Sequence, residues 1–324
     1  MTKLNIDGIL IPGAFMPLQA GQLALIRAAF AMDHRVTIAL QDRGDDPIPA
    51  GIRAAWLRDL FPDVKIIFVD NETGARDLDD WLTTLKDWRA GRLLCSEPWG
   101  PDLAKSLKAD WTVMDPERVT FPIHSKDLRA DLVSHWAQLP GVARPYFQKR
   151  LTLVGPESVG KSQISKHLAE KFGGPHVPEY GRPFEKYRDE GDYSGQELFA
   201  IVDGHEAWRG AIAHHAGPVL FEDTDALMTA VWAEMLLGRR LRRLEKILLR
   251  ADHYILLGDD VPWVDDGIRY YGREEKRREF FNATRAMLDR LGASYDIVTG
   301  DWETREARAE DIARTMIEEV RHAI

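Results

Sequence analysis

The octapeptide GPESVGKS at 155–162 constrains this chain more than any other feature, because it fits GxxxxGK[ST] and stands where that pattern has a physical meaning. Before it runs RLTLVG (150–155), short and rich in β-formers. After it a helical period extends from Lys161 to Phe172. A strand, a glycine-bracketed loop and a helix in that order imply an open parallel α/β sheet. Gly155 and Gly160 let the backbone wrap an anion, so that several N–H dipoles and the helix N-terminus converge on phosphate. Lys161 adds a point charge for the β and γ phosphates, and Ser162 offers its hydroxyl to Mg²⁺. The stretch Gly155-Pro156-Glu157-Ser158-Val159-Gly160-Lys161-Ser162-Gln163 is therefore the expected site for ATP and Mg²⁺.

The rest of the chain agrees with that class. From residue 4 to about 135, apolar runs at 4–11, 35–40, 64–70, 92–97 and 110–115 alternate with amphipathic stretches such as 21–33, 52–61 and LDDWLTTLKDWRA at 78–90. Strands separated by helices of ten or more residues pair in parallel through crossovers, which makes this half a Rossmann-like sheet. WAQLPGVARPYFQKR at 136–150 breaks the rhythm with two prolines and a glycine, and divides the chain into domains at 1–143 and 144–324. The alternation then resumes. Strands are expected at 150–155, 176–180, 218–225, 253–259 and 294–300, with helices at 161–172, about 194–215 and about 303–323.

Composition narrows the partners. A formal charge of −9 provides no global basic field for nucleic acid, and the basic run at 239–246 has no aromatic stacking set beside it. The lone cysteine, Cys95, forms no internal disulfide, and no Cys/His spacing suits zinc, which fits a cytoplasmic protein. No apolar run reaches the roughly 18 residues of a membrane span. Nucleic acid and membrane insertion are not expected; a homo-oligomer stays open.

In an open α/β sheet, ligands sit beyond the carboxyl ends of the strands. HVPEYGR (176–182) places Glu179, Tyr180 and Arg182 at one such end, and FEDTD (221–225) places Glu222, Asp223 and Asp225 at another, where carboxylates can hold metal or substrate hydroxyls. VPWVDDGIR (261–269) brings Trp263 and Asp266, followed by Arg269, Arg273, Lys276, Arg277 and Arg278. This run fits an acceptor pocket leading into a basic lid, and an aromatic beside acids suits a cationic planar ring bearing a sugar. The same residues also fit a core tryptophan and a solvated helix face.

Together GPESVGKS, EYGR (179–182), EDTD (222–225) and WVDDGIR (263–269) resemble the ribosylnicotinamide kinase domain of NadR-type proteins, which join that kinase to an amino-terminal nicotinamide-mononucleotide adenylyltransferase. ARPYFQKRLTLVGPES resembles the family's linker, and SEPWG (96–100), DPERVTF (115–121) and IHSKDLR (123–129) follow the family's order. The resemblance implies a nucleotidyltransferase-type Rossmann domain followed by a P-loop kinase domain. It further implies phosphorylation of the 5′-hydroxyl of nicotinamide riboside by ATP, in NAD salvage. Lys161, Glu179, Asp223, Arg269 and Arg273 would be catalytic, with Asp223 or Glu179 handling the hydroxyl proton and the two arginines neutralising the γ-phosphoryl. Tyr180, Arg182, Asp225, Trp263 and Asp266 would line the riboside pocket, Trp263 stacking on the pyridinium, and Ser162 with Asp223 would hold Mg²⁺.

Two departures matter. The family's DNA-binding helix-turn-helix has no counterpart, so a repressor role is not expected. In place of the adenylyltransferase signature GxFxPxHxGH stands GAFMPLQAGQ (13–22), with Gln19 and Gln22 at both histidine positions. The later ISxTxxR reads IHSKDLR, which puts Asp127 near phosphates. Glutamine donates hydrogen bonds but brings no charge, and charge-assisted bonds are roughly twice as strong. Loss of adenylyl transfer is the expectation; a bifunctional enzyme and a non-catalytic nucleotide sensor are the alternatives.

Overall fold

The computed structural model describes residues 4–70, 77–189, 191–247, 251–262 and 274–324, side chains of 245–247 excepted. It divides into two compact units, Met1–Ala143 with Arg321–Ile324, and Arg144–Val320. Among the described residues no helix is long and apolar enough to cross a membrane.

The first unit is a parallel five-stranded sheet of β1 (Leu4–Gly13), β2 (Val36–Asp42), β3 (Lys65–Asp70), β4 (Trp88–Cys95) and β5 (Asp110–Val113), in the order β3-β2-β1-β4-β5. In central β1 and β2, residues 9–11 and 36–41 are buried without interruption, the pattern of parallel strands covered on both faces. The order reverses at β1, so its carboxyl end opens on a crevice, and Gly13 of the first signature stands there. One expected helix is shorter than its periodicity. It covers only Leu78–Thr84, and Trp88-Arg89-Ala90 instead pair with Leu4-Asn5-Ile6 as the start of β4. Ladder bonds to the central strand outweigh the helical pattern there.

The second unit is a parallel sheet of β6 (Lys149–Val154), β7 (Val219–Asp223), β8 (His253–Leu257) and β9 (Tyr295–Val298), in the order β7-β6-β8-β9. Leu151, Leu153, Phe221, Ile255 and Leu257 pack with the helices Lys161–Phe172 and Trp302–Arg321. Val154, Tyr254 and Leu256 pack with residues of the helices Gly195–Ala213, Ala226–Leu237 and Glu274–Leu291. The strand expected at 176–180 is not one. Val177 makes a single bridge to β7, donating to the Phe221 carbonyl at 2.8 Å and accepting from the Asp223 amide at 2.8 Å. Pro175 and Pro178 flank it and have no N–H to extend a ladder. β6 is the switch strand of this sheet, and GPESVGKS lies beyond its carboxyl end.

A fully buried arginine holds the first unit's crevice in shape. Arg53 pairs with Asp46 at 2.7 Å and donates to the carbonyls of Ile48 (2.9 Å), Gln41 (2.9 Å) and Ala14 (2.5 Å). Both charges are essentially out of water. Replacing Arg53 with alanine strands the Asp46 carboxylate, and the expected loss is about 3–5 kcal/mol. Urea unfolding followed on the full chain checks it; Arg53→Lys should recover only part, since one ammonium cannot reach four acceptors.

Candidate functional site

Beyond β6 the backbone passes through the left-handed region at Gly155 (φ +136°), Ser158 (φ +60°) and Gly160 (φ +92°). A Cβ at Gly155 would lie 2.7 Å from the Leu257 carbonyl oxygen, so glycine is required there for close approach as well as for φ. The helix Lys161–Phe172 starts from Gly160 without a side-chain cap, and its N-terminal dipole faces the loop. Glu157 to Gln163 line a cavity of about 470 Å³, and Glu179, Tyr180, Arg182 and Asp225 line it too. The expected ATP loop and four expected acceptor residues therefore share one space. Gly155 and Pro156 do not line it; they form the base of the turn.

Lys161 curls back over its own loop, donating to the carbonyls of Gly155 at 3.1 Å and Pro156 at 2.8 Å. Burial pulls its pKa down, against the opposing charges of Glu179, Asp223 and Glu157. Ser162 donates through Oγ to Oδ2 of Asp223, while Oδ1 of Asp223 is buried without a partner. Desolvation first, and the Glu179 charge second, push the Asp223 carboxyl up to about 6. A hydroxyl and a carboxylate with one idle oxygen form a hard donor set that fits Mg²⁺. Among the described residues no group of three or more His, Cys, Asp or Glu could hold a metal. Phosphate oxygens and water would have to complete the coordination.

Side-chain alternation on β7 separates Glu222 from Asp223, and the chain leaves the strand at Thr224 (φ +69°) before Asp225. Asp223 faces Ser162. Glu222 is fully buried against Arg150, at 2.6 and 3.1 Å, with His205 Nε2 3.7 Å away, so it serves an internal ion pair. Asp225 caps the helix Ala226–Leu237 through the Leu227 amide at 2.9 Å and accepts from Tyr254 Oη at 2.7 Å. Burial raises its pKa to about 6, with the Glu222 charge adding to the effect. Asp225 stands in the cavity wall with both oxygens engaged.

Glu179 pairs with Arg182 at 3.1 Å. The Tyr180 ring stands edge-on to Trp208 at 5.3 Å and rests on Gly204, where a Cβ would come within 2.1 Å of it. Trp263, Asp266, Arg269 and Arg273 lie outside the described residues. The remaining basic residues of that run, Lys276, Arg277 and Arg278, lie on the helix Glu274–Leu291. Arg277 is buried and donates to the Val261 carbonyl at 3.1 Å, Arg278 pairs with Asp259 at 2.6 Å, and Lys276 with Glu279 at 2.7 Å. The contacts of Arg277 and Arg278 fasten the helix Glu274–Leu291 to the segment after β8, while the Lys276 pair lies within the helix.

Several wall residues had no motif to announce them: Leu198, Ile201, His205, Met228, Trp232 and Trp302. For Met228 and Trp232 the one signal was that ALMTAVWAEMLL is apolar on every side, which is more than one core face requires. The Trp232 ring lies tilted against Phe280, centroids 4.6 Å apart, and lines the cavity.

In the first unit the two altered signatures meet. Gln19 caps the helix Ala20–Met32, its Oε1 accepting from the Gly21 amide at 2.5 Å, and Gln22 Oε1 accepts from the Gln19 amide at 3.1 Å. Gln22 Nε2 reaches Ser125 Oγ at 3.4 Å, Ser125 donates to the Pro17 carbonyl at 3.0 Å, and Arg129 donates to the Met16 carbonyl. Asp127 accepts from the His124 amide at 2.8 Å and caps its own short helix.

Comparison with known proteins places this geometry among relatives. An AAA-domain family model matches residues 150–305. The trifunctional NAD biosynthesis/regulator protein NadR of Escherichia coli K12 is 26% identical, over 95% of this chain and 83% of its own. Its Salmonella typhimurium LT2 counterpart is 26% identical over 95% and 82%. A crystal structure of a NadR protein in complex with NR covers 98% of this chain and 97% of its own, with a TM-score of 0.71 at 22% identity. A NadR structure with NAD and AMP-PNP covers 98% of each at 0.69 and 20%. Matched in sequence over 95% of its length and in fold over 98%, the chain is a homologue of the NadR-type proteins.

Proposed function

We propose that this chain is an ATP-dependent ribosylnicotinamide kinase that converts nicotinamide riboside to nicotinamide mononucleotide. In this reading residues 144–324 form the kinase domain, and residues 1–143 an adenylyltransferase-like domain that no longer transfers adenylyl groups. One observation carries it. A single cavity joins a phosphate loop, backed by a buried aspartate on its serine, to a wall of Glu179, Tyr180 and apolar residues sized for a small acceptor. The likeness of the chain to a NadR protein bound to NR supports the choice of riboside, and the AMP-PNP bound to another supports ATP.

The chemistry asks mainly for position and charge. Loop amides from 157 to 162 and the helix N-terminus hold the β and γ phosphates. Lys161 exchanges its two carbonyl partners for phosphate oxygens, which restores full charge to an ammonium that burial disfavours. Glu179 orients the 5′-hydroxyl and receives its proton as the new O–P bond forms and the β–γ bridge breaks to release ADP. Ser162 and ionised Asp223 would hold Mg²⁺, which when bound neutralises charge on the phosphates. The cavity walls exclude water that would otherwise compete with the riboside. In the first unit, Gln19 and Gln22 spend their oxygens on the helix cap and bring no positive charge of their own to where pyrophosphate would depart.

Incubation with riboside, ATP and Mg²⁺ should therefore accumulate the mononucleotide and ADP without NAD. Lys161→Ala should lower kcat/KM by about 10²–10³-fold, the usual cost of one preorganised charge donor. Formation of NAD at a rate comparable to the mononucleotide would overturn the loss of adenylyl transfer. Failure of any pyridine riboside to release ADP would overturn the kinase.

The pH profile gives an independent check on Asp223. Burial pushes its carboxyl up to about 6, and only the ionised form would hold Mg²⁺ against the phosphates. The kcat/KM profile reports free-enzyme groups, so it should rise with pH through about 6 and fall roughly tenfold per unit below that. Asp223→Asn should abolish this limb along with most of the activity. A profile flat to pH 5 would deny Asp223 an ionised role.

A further inference from the structure

Trp302 opens the helix Trp302–Arg321, is 43% exposed, and lines the cavity beside the phosphate loop. Its indole fills the space where a side chain on Gly160 would project: a Cβ built there falls 2.2 Å from one ring carbon. The Cζ3–Cη2 edge of a large aromatic is thus set against the loop's last glycine, one residue before Lys161, with much of the ring's surface uncovered. Docking of the helix does not explain this. That task belongs to Arg305, fully buried one turn on, which donates to the carbonyls of Val159 at 3.1 Å, Gly258 at 3.2 Å and Gly300 at 2.7 Å and pairs with Asp260. Because the arginine fixes the first turn, the indole beside it is rigid and free to present a face.

We propose that Trp302 is the stacking platform for the nucleobase of the phosphate donor. The inference rests on the loop's binding a nucleoside triphosphate, as proposed above, and adds a second contact at the other end of that ligand. Backbone amides recognise the phosphates, whereas an indole recognises a planar base through overlap and burial. Stacking tolerates any base, so the platform contributes affinity for the nucleoside more than choice among nucleosides. Within the site the two contributions are separable: inorganic tripolyphosphate uses the amides alone, and ATP uses both.

Calorimetric titration of the full chain with ATP and with inorganic tripolyphosphate tests this. Trp302→Ala should raise the Kd for ATP roughly tenfold, within the range that loss of one base–aromatic stack produces, and leave tripolyphosphate unchanged. Trp302→Phe should keep most of the ATP affinity. Trp302→Leu, which still fills the space over Gly160 should the alanine variant fold poorly, should lose ATP affinity selectively in the same way. Equal weakening of both ligands would make Trp302 a support for the loop and overturn the platform, as would unchanged ATP binding in the alanine or leucine variant. A wild-type chain that binds neither ligand would instead overturn the nucleotide reading of the loop itself.

Discussion

A backbone that turns through positive φ three times in six residues, at Gly155, Ser158 and Gly160, is the constraint on which the site depends. That path aims amides inward, and it exists only because neighbouring structure holds it. A non-glycine residue such as Ser158 in this region costs about 1–3 kcal/mol, which the surrounding fold must offset. Two contacts do so from behind. Gly155 sits against the β8 carbonyl of Leu257, where no Cβ fits, and Arg305 seizes the Val159 carbonyl from the last helix. The phosphate loop is thus fastened to β8 and to the helix after β9, elements more than a hundred residues away in sequence.

The same cavity imposes an electrostatic cost. Asp223, ordinarily near 3.8, titrates near 6, so between those values the folded chain binds more protons than the unfolded one. Stability from this group is greatest when it is protonated, declines as pH rises through that interval, and above 6 is short by about 3 kcal/mol. The fold tolerates a buried, half-partnered carboxylate that an apolar residue would relieve. Such a deficit is rational where a cation and phosphates are to be bound, because the ligand then supplies what the protein withholds. Glu222, adjacent in sequence and wholly buried, shows the opposite solution: Arg150 and His205 surround it, and its pKa falls.

Much of this was legible in the residues, and the failures have physical causes. The strand, loop and helix of GPESVGKS could be placed because local chemistry and long-range pairing agree there. HVPEY reads as a strand by apolar content, yet its prolines permit only one bridge to β7. LDDWLTTLKDWRA reads as one helix, but pairing of Trp88 to Ala90 with β1 claims its end. The cluster FEDTD could be identified as acidic, though not divided into Asp223 for the loop, Glu222 for an ion pair and Asp225 for a cap; that division is set by strand parity and by what each side of the sheet packs against. Trp302 and Arg305 were hidden for a different reason. Both act on the site from a helix distant in sequence, and a lone tryptophan or arginine in an amphipathic helix carries no sign of its neighbour.

On the reading proposed above, the first unit keeps its sheet without its chemistry. At the carboxyl end of β1 polar side chains partner one another, in the capping box of Gln19 and Gln22 and in the bonds from Gln22 to Ser125 and from Arg129 to the Met16 carbonyl. Histidine at positions 19 and 22 would carry a titratable charge into a largely buried crevice, where it is costly unless an anion compensates. Neutral glutamines avoid that cost and satisfy the helix start unaided. On that reading, release from phosphate binding favours glutamine at both positions on stability alone, while Arg53 keeps the crevice in shape.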